Sequence, residues 1–428
     1  MPGLPCPVND FSRTKKILFG VAMAIVLATG GWFAPESWIH STRPIKIGIL
    51  HSLTGTMAIS ESSVRDATLL AIEELNAAGG VLGRRLEPVV ADGRSDWPVF
   101  AREAERLIAQ EKVAVVFGCW TSASRKTVKP VFERLDGLLF YPVQYEGLEQ
   151  SPNIVYTGAA PNQQIIPAVK WSFDHLGKRF FLVGSDYVFP RTANAIIKAQ
   201  VTALGGEIVG EEYLLLGDVS AEKIAQKIVQ ARPEVILNTI NGDSNVAFFN
   251  ALRQAGVSPE RIPTLSFSIA ENELLHMDAH TITGDYAAWN YFQSVQSPEN
   301  TRFVAAFRKR FGQARVTDDP MEAAYFGVYL WAHAVTAAGT TEVTAVRQAL
   351  GHQSLAAPEG IVSIDSETRH TWKTVRVGKI RPDGQFEIVW SSETPTRPLP
   401  YPAFRSKPDW DAFLENLQTG WGGAWAHP

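Results

Sequence analysis

Short apolar runs alternate with stretches of helical periodicity along this chain, and the alternation starts afresh midway. In the first half, residues 45–50 read as a strand. Residues 62–77 read as a helix, with Val64, Ala67, Ala71 and Leu75 on one face. Gly79-Gly80 stops that helix. A strand at 86–91, a helix at 99–110, a strand at 113–118 and an apolar run at 138–140 follow. The second half offers strands at 180–184, 207–213, 235–240 and 264–267, separated by helices at 192–204, 220–231 and 244–255. Strands that alternate with helices make parallel sheets covered on both faces. The pattern predicts an α/β chain with two doubly wound lobes. Helices at 299–311 and 321–338 come later. Strands at 372–380 and 386–391, joined by a Pro382-Asp383-Gly384 turn, end the core pattern. A tail from residue 394, rich in Pro and Trp, is expected to strap over the surface.

In such sheets ligands gather beyond the carboxyl ends of the strands. There this chain places Trp120 and Ser122 after one strand, and Tyr141, Gln144 and Tyr145 after the next. Tyr187 follows the first strand of the second half, Asn241 and Asp243 follow a later one, and Trp289 lies near a return between lobes. These nine residues are the candidate ligand-binding set. His51, Ser52 and Thr54 follow the first strand in the same way. Ser122, Gln144, Asn241 and Asp243 supply acceptors, and Trp120, Tyr141, Tyr187 and Trp289 supply flat walls. The set suits a small, neutral, polar molecule that is held and not transformed. Asp243 has a competing role as the cap of the helix beginning near Ser244.

Catalytic chemistry finds no support. No Gly-x-Ser-x-Gly elbow surrounds Ser122 or Ser124. His276 and His280 are four apart, but Met277 stands where a metalloprotease needs Glu. Gly79-Gly80-Val81-Leu82-Gly83 follows a helix instead of opening one, so it is no nucleotide loop. Asp318-Asp319 before Pro320 reads as acidic capping of a helix, not a catalytic pair. No catalytic residue, metal or cofactor is expected. Cys119 reads as a small buried hydrophobe beside the pocket. With 428 residues, 45% of them hydrophobic, the chain can bury a large core in two or three domains. A net charge of −4, without a basic stripe, argues against nucleic acid as a partner.

Arg13, Lys15 and Lys16 precede an uncharged apolar stretch at 17–33, the pattern of an export signal. Trp32 and Phe33 make a poor cleavage site, and the stretch approaches the length of a membrane span. Residues 1–43 are therefore a signal peptide or an uncleaved membrane anchor, and the remainder is exported.

Taken in order, Ile49-Leu50-His51-Ser52-Leu53-Thr54-Gly55, Gly118-Cys119-Trp120-Thr121-Ser122-Ala123-Ser124-Arg125-Lys126, Tyr141-Pro142-Val143-Gln144-Tyr145-Glu146-Gly147 and Trp421-Gly422-Gly423-Ala424-Trp425 resemble the type I periplasmic binding proteins. The similarity is to the branched-chain amino acid and amide group, and at Trp120 and Val143-Gln144 to its urea-binding branch. It runs from about Pro44 to the C-terminus. The resemblance implies two lobes joined by three crossovers, near residues 158–163, 287–291 and 358–361. It divides the chain into a first lobe at 44–160 and 288–357, a second lobe at 161–287 and 358–395, and a tail at 396–428. It implies a periplasmic component of an ABC importer that binds urea or a short-chain amide and docks on permease subunits. The alternative it leaves open is a urea or amide sensor, periplasmic or tethered to the inner membrane, acting on a regulatory partner.

Overall fold

The computed structural model describes residue 3 and residues 43–427, and residues 44–428 form one compact unit. The apolar export segment at 17–33 lies outside the described residues. Among those described, no helix is long and apolar enough to cross a membrane.

Two sheets carry the fold. The first comprises β1 (Ile45–His51), β2 (Leu86–Asp92), β3 (Val115–Gly118), β4 (Leu139–Tyr141) and β5 (Ile154–Tyr156), all parallel, in the order β2-β1-β3-β4-β5. Helix α1 (Ala58–Ala77) starts earlier than its apolar periodicity suggests, and α2 (Trp97–Glu105) is capped by Asp96, which accepts the Val99 N–H at 2.9 Å. Helix α3 (Ser122–Arg134) begins directly behind β3.

After α4 (Ile165–His175) the second sheet opens with β6 (Arg179–Ser185), α5 (Val188–Leu204) and β7 (Glu207–Leu214). It continues with α6 (Glu222–Ala231), β8 (Val235–Thr239), α7 (Ser244–Gln254), β9 (Thr264–Ser266) and β10 (Tyr286–Trp289). The chain then returns to the first lobe with α8 (Pro298–Phe311), α9 (Asp319–Ala338) and α10 (Val343–Leu350). Asp318 caps α9 by accepting the Met321 N–H at 3.0 Å, and Asp319 accepts the N–H groups of Asn290 and Tyr291 at 2.9 Å each, pinning the second crossover.

Strands β11 (Ser354–Ala357), β12 (Gly360–Ile364) and β13 (Thr371–Trp372) form a small sheet of their own. Ala357, Val362 and Ile364 pack into the core of the first lobe with Phe326 and Trp331. Here the structure differs from the crossover expected at 358–361: the chain enters the second sheet only with β14 (Arg376–Ile380), antiparallel to β10, and β15 (Phe386–Ser391). The second sheet is thus ordered β15-β14-β10-β9-β8-β6-β7, parallel except for this edge pair.

Each sheet is covered on both faces, by one core of Trp120, Phe132 and Phe307 and another of Phe326 and Trp331 in the first lobe. The second lobe has the same arrangement around Trp171 and Trp410 on one face and Phe248 and Trp289 on the other. The tail is more than a strap: α11 (Lys407–Gly420) buries Trp410 fully, and its indole N–H donates to the Pro402 carbonyl at 2.9 Å.

Candidate ligand-binding cleft

Both sheets reverse their winding order between their first and third strands, β1/β3 in one and β6/β8 in the other. A crevice opens at such a switch point. Here the two crevices face each other, because the Trp120 indole N–H beyond β3 donates to Asn241 Oδ1 beyond β8 at 3.4 Å.

The turn after β3 is built for close approach. A Cβ on Gly118 would lie 2.1 Å from the Leu50 carbonyl oxygen, so only glycine fits. Cys119 follows with φ of 65°, a left-handed conformation that is costly for a side-chain-bearing residue. Strain of this kind persists where surrounding bonds over-determine it. The Cys119 N–H donates to Leu50 at 2.8 Å, and Tyr141 donates to the Trp120 carbonyl at 2.5 Å. Thr121 then caps α3 by accepting the Ser124 N–H at 3.0 Å. Burial pushes the Cys119 thiol far above its ordinary value, so it stays protonated and is no nucleophile.

Behind this turn lies a buried charge network. Arg125 donates to Glu149 at 2.9 Å, to Glu146 at 3.0 Å and to the Ser122 hydroxyl at 3.0 Å. Ser122 in turn donates to Glu146. Lys126 donates to Glu149 at 3.0 Å. Burial would raise the Glu149 carboxyl, yet the charges of Arg125 and Lys126 hold it well below the usual carboxylate range. The guanidinium lies over the rings of Tyr145 (4.4 Å) and Tyr141 (4.8 Å).

Trp120, Ser122, Tyr141, Tyr187 and Asn241 are all buried, Trp120 meets Asn241 from the other lobe, and the Ser122 hydroxyl is already engaged by Arg125 and Glu146. Tyr187 reaches in from the second lobe, where burial, Tyr141 and the charges of Glu146 and Glu61 raise its hydroxyl. Gln144 ties the lobes together: its amide donates to the Phe267 carbonyl at 2.8 Å and to Ser268 at 3.2 Å, and its Oε1 has no partner. Tyr145 stands further back, stacked on Tyr156 at 5.1 Å, with its hydroxyl 2.5 Å from His370 Nε2. Trp289 packs in the second lobe's core with Phe248 and Phe292, donating to the Ile269 carbonyl at 2.7 Å. Asp243 is exposed at the rim, where it accepts the Thr56 hydroxyl of the other lobe; its side chain makes no capping bond to α7. Further ties, Ser60 to Glu273 at 2.7 Å and Asn272 to the Ile59 carbonyl at 2.7 Å, hold the lobes closed.

Sequence reasoning missed Glu61 and Glu146. Glu61 is fully buried; Oε2 accepts the Ser52 N–H at 2.8 Å and lies 3.1 Å from His51 Nδ1, while Oε1 has no partner.

Residues 45–407 match the periplasmic binding protein domain family. The chain belongs to that family. Membership implies a periplasmic location, and the proteins of this family are solute-binding proteins, not enzymes. The chain is 31% identical over 319 residues to Leu/Ile/Val-binding protein homolog 8 of Brucella suis, covering 70% of this chain and 77% of that protein. A 119-residue stretch is 35% identical to the limonene hydroxylase of Geobacillus stearothermophilus; it spans 28% of this chain and only 22% of that relative. Among solved structures, the solute-binding protein of an ABC transporter from Rhodopseudomonas palustris BisB5, in complex with 3,4-dihydroxybenzoic acid, superposes with a TM-score of 0.76. It is 22% identical, covering 83% of this chain and 99% of that one. The branched-chain amino acid transporter substrate-binding protein LivJ of Streptococcus pneumoniae, in complex with isoleucine, gives a TM-score of 0.71 at 20% identity, covering 82% and 99%. The periplasmic binding protein fold is the one these neighbours share.

Proposed function

We propose that this protein is the solute-binding component of an ABC importer and captures a small uncharged amide, urea first, between its lobes before docking on the permease subunits. The observation that carries this reading is the state of the charges. Dihydroxybenzoic acid and isoleucine, bound by the neighbours, each bring a carboxyl group. Such a ligand is held most strongly by a cation with unused donors. Here Arg125 and Lys126 are already engaged by Glu146 and Glu149. Among the buried atoms left unpaired here are the acceptors Glu61 Oε1 and Gln144 Oε1, which suit N–H donors and not the acceptor oxygens of a carboxylate. Urea is planar, with N–H groups on both nitrogens, and fits between aromatic walls such as Trp120, Tyr141 and Tyr187.

Size bounds the affinity. A ceiling of about −1.5 kcal/mol per heavy atom gives urea about −6 kcal/mol, or tens of micromolar. Calorimetry of the purified protein against urea, acetamide, isoleucine and benzoate tests the reading. Urea is expected to bind and the two carboxylates are not; the reverse order overturns it. Trp120→Ala should weaken urea binding by about 1–3 kcal/mol, as for a buried aromatic contact, with loss of the ligand-induced change in tryptophan fluorescence.

A further inference from the structure

Two polar atoms beside the cleft, Glu61 Oε1 and His51 Nε2, are buried without a partner. Their residues are 0% and 1% exposed. Both side chains are held in place. The Ser52 N–H at 2.8 Å and His51 Nδ1 at 3.1 Å converge on Glu61 Oε2, which leaves Oε1 free. With its hydrogen on Nδ1, facing Glu61, the imidazole keeps Nε2 as an acceptor. The Glu61 charge is felt by Cys119 at the β3 turn and by Tyr187, which enters from the opposite lobe. A buried acceptor left unpaired is expensive, and buried polar groups are otherwise nearly all satisfied.

An acidic residue in the first turn of a helix ordinarily complements the helix dipole from the surface. Glu61 lies in the first turn of α1 but is closed off from solvent, and only one of its oxygens serves a backbone N–H.

Resting on the amide reading above, we propose that Glu61, oriented by Ser52 and His51, is the specificity-determining residue of the cleft. Its Oε1 accepts one ligand N–H, and His51 Nε2 accepts another from the same planar group. The ligand class is thereby narrowed to compounds with N–H donors on two nitrogens of one plane: ureas, and amidine-like or guanidinium compounds. Acetamide carries both N–H donors on one nitrogen and a methyl where urea has its second NH2; with that nitrogen on His51 Nε2 its methyl faces Glu61 and leaves Oε1 empty.

The test is a cycle of two proteins and two ligands. Urea and acetamide are titrated calorimetrically into the wild-type protein and into Glu61→Gln, with thermal unfolding recorded for both. A charge-assisted hydrogen bond replaced by a neutral one should cost urea about 10-fold or more in affinity. Acetamide should lose less than about 3-fold, so the preference for urea shrinks. Guanidinium, as a cation, should lose more than urea. Wild-type protein that binds no amide at all overturns the amide reading and this inference with it. Wild-type protein that binds urea, with Glu61→Gln binding it equally well, overturns the role of Glu61 alone. Should the variant fail to fold, the wild-type protein still decides. Affinity must then fall from urea to N-methylurea to N,N′-dimethylurea, and equal affinities along that series refute the two-acceptor arrangement.

Discussion

Arg125 is the residue on which the cleft depends without needing to touch a ligand. It is fully buried, and its guanidinium joins Ser122, Glu146 and Glu149 into one network. Removing one partner of a buried ion pair leaves an uncompensated charge, at about 3–5 kcal/mol. Arg125→Ala is therefore expected to destabilise the protein by that amount in thermal unfolding without ligand, where neither urea nor guanidinium is present to bind the cleft. Glu149→Gln, which leaves Glu146 to pair with the arginine, should cost less. None of this pairing was legible in the sequence. Arg125 and Glu149 are 24 residues apart, and only the packing of the loop after β4 against α3 brings them together. Trp120, Tyr141, Tyr187 and Asn241 were readable as a group because strand ends are recognisable from apolar runs. Glu61 was not, because the periodic face of α1 begins after it, and an acid at a helix start normally means only capping or dipole complementation.

At the scale of elements, the parallel strands β1, β3, β6 and β8 were legible because fully buried strands read as unbroken apolar runs. The small sheet of β11, β12 and β13 was not. Its strands are short and half exposed, and nothing local shows that Val362 and Ile364 face the first lobe. The tail was legible only as a covering. In the structure its end joins the loop that carries Tyr187 into the cleft. Tyr187 bridges to Ala426, and the Val188 N–H donates to the Trp425 carbonyl at 3.0 Å. The Trp425 ring also receives Lys126 of the first lobe at 4.9 Å, so the tail touches both lobes. Trp425→Ala removes that cation–π contact, worth about 0.5–1 kcal/mol at a partly exposed site, and loosens the Tyr187 loop. The expected outcome is a several-fold loss of ligand affinity with faster amide exchange at 187–191, measured by hydrogen–deuterium exchange. Unchanged exchange there would disconnect the tail from the cleft.

The whole molecule keeps a set of acidic groups buried where its lobes join. Burial raises Glu271 to about 8, against which the Gln293 N–H at 2.6 Å works only partly. Glu273, tied to Ser60 across the cleft, is raised by burial as well, and so are Asp318 and, around the buried Lys373, Glu322 and Glu359. In the second lobe burial lifts Asp285 to about 7 despite Arg253. A carboxyl whose folded value is raised contributes stability that is complete below its unfolded value and is lost as pH climbs through the folded one. His370 acts oppositely: burial lowers it from 6.5 to about 4, so its neutral form gains the fold stability as pH rises between those values. Above pH 6.5 that gain is complete, and the raised carboxyls set the trend. Stability is therefore expected to fall between pH 6.5 and about 8, by about 2 kcal/mol from Glu271 alone at about 1.4 kcal/mol per pH unit. Thermal unfolding across that range should show a declining midpoint, and Glu271→Gln, which cannot ionise, should flatten the decline. Because Glu273 becomes solvated when the lobes part, alkaline pH should also favour the open form, visible as a larger radius of gyration in solution scattering without ligand. A midpoint that holds level or rises from pH 6.5 to 8 would show that these carboxyls are ionised in the folded protein and that Lys373 and Arg253 suffice to hold them.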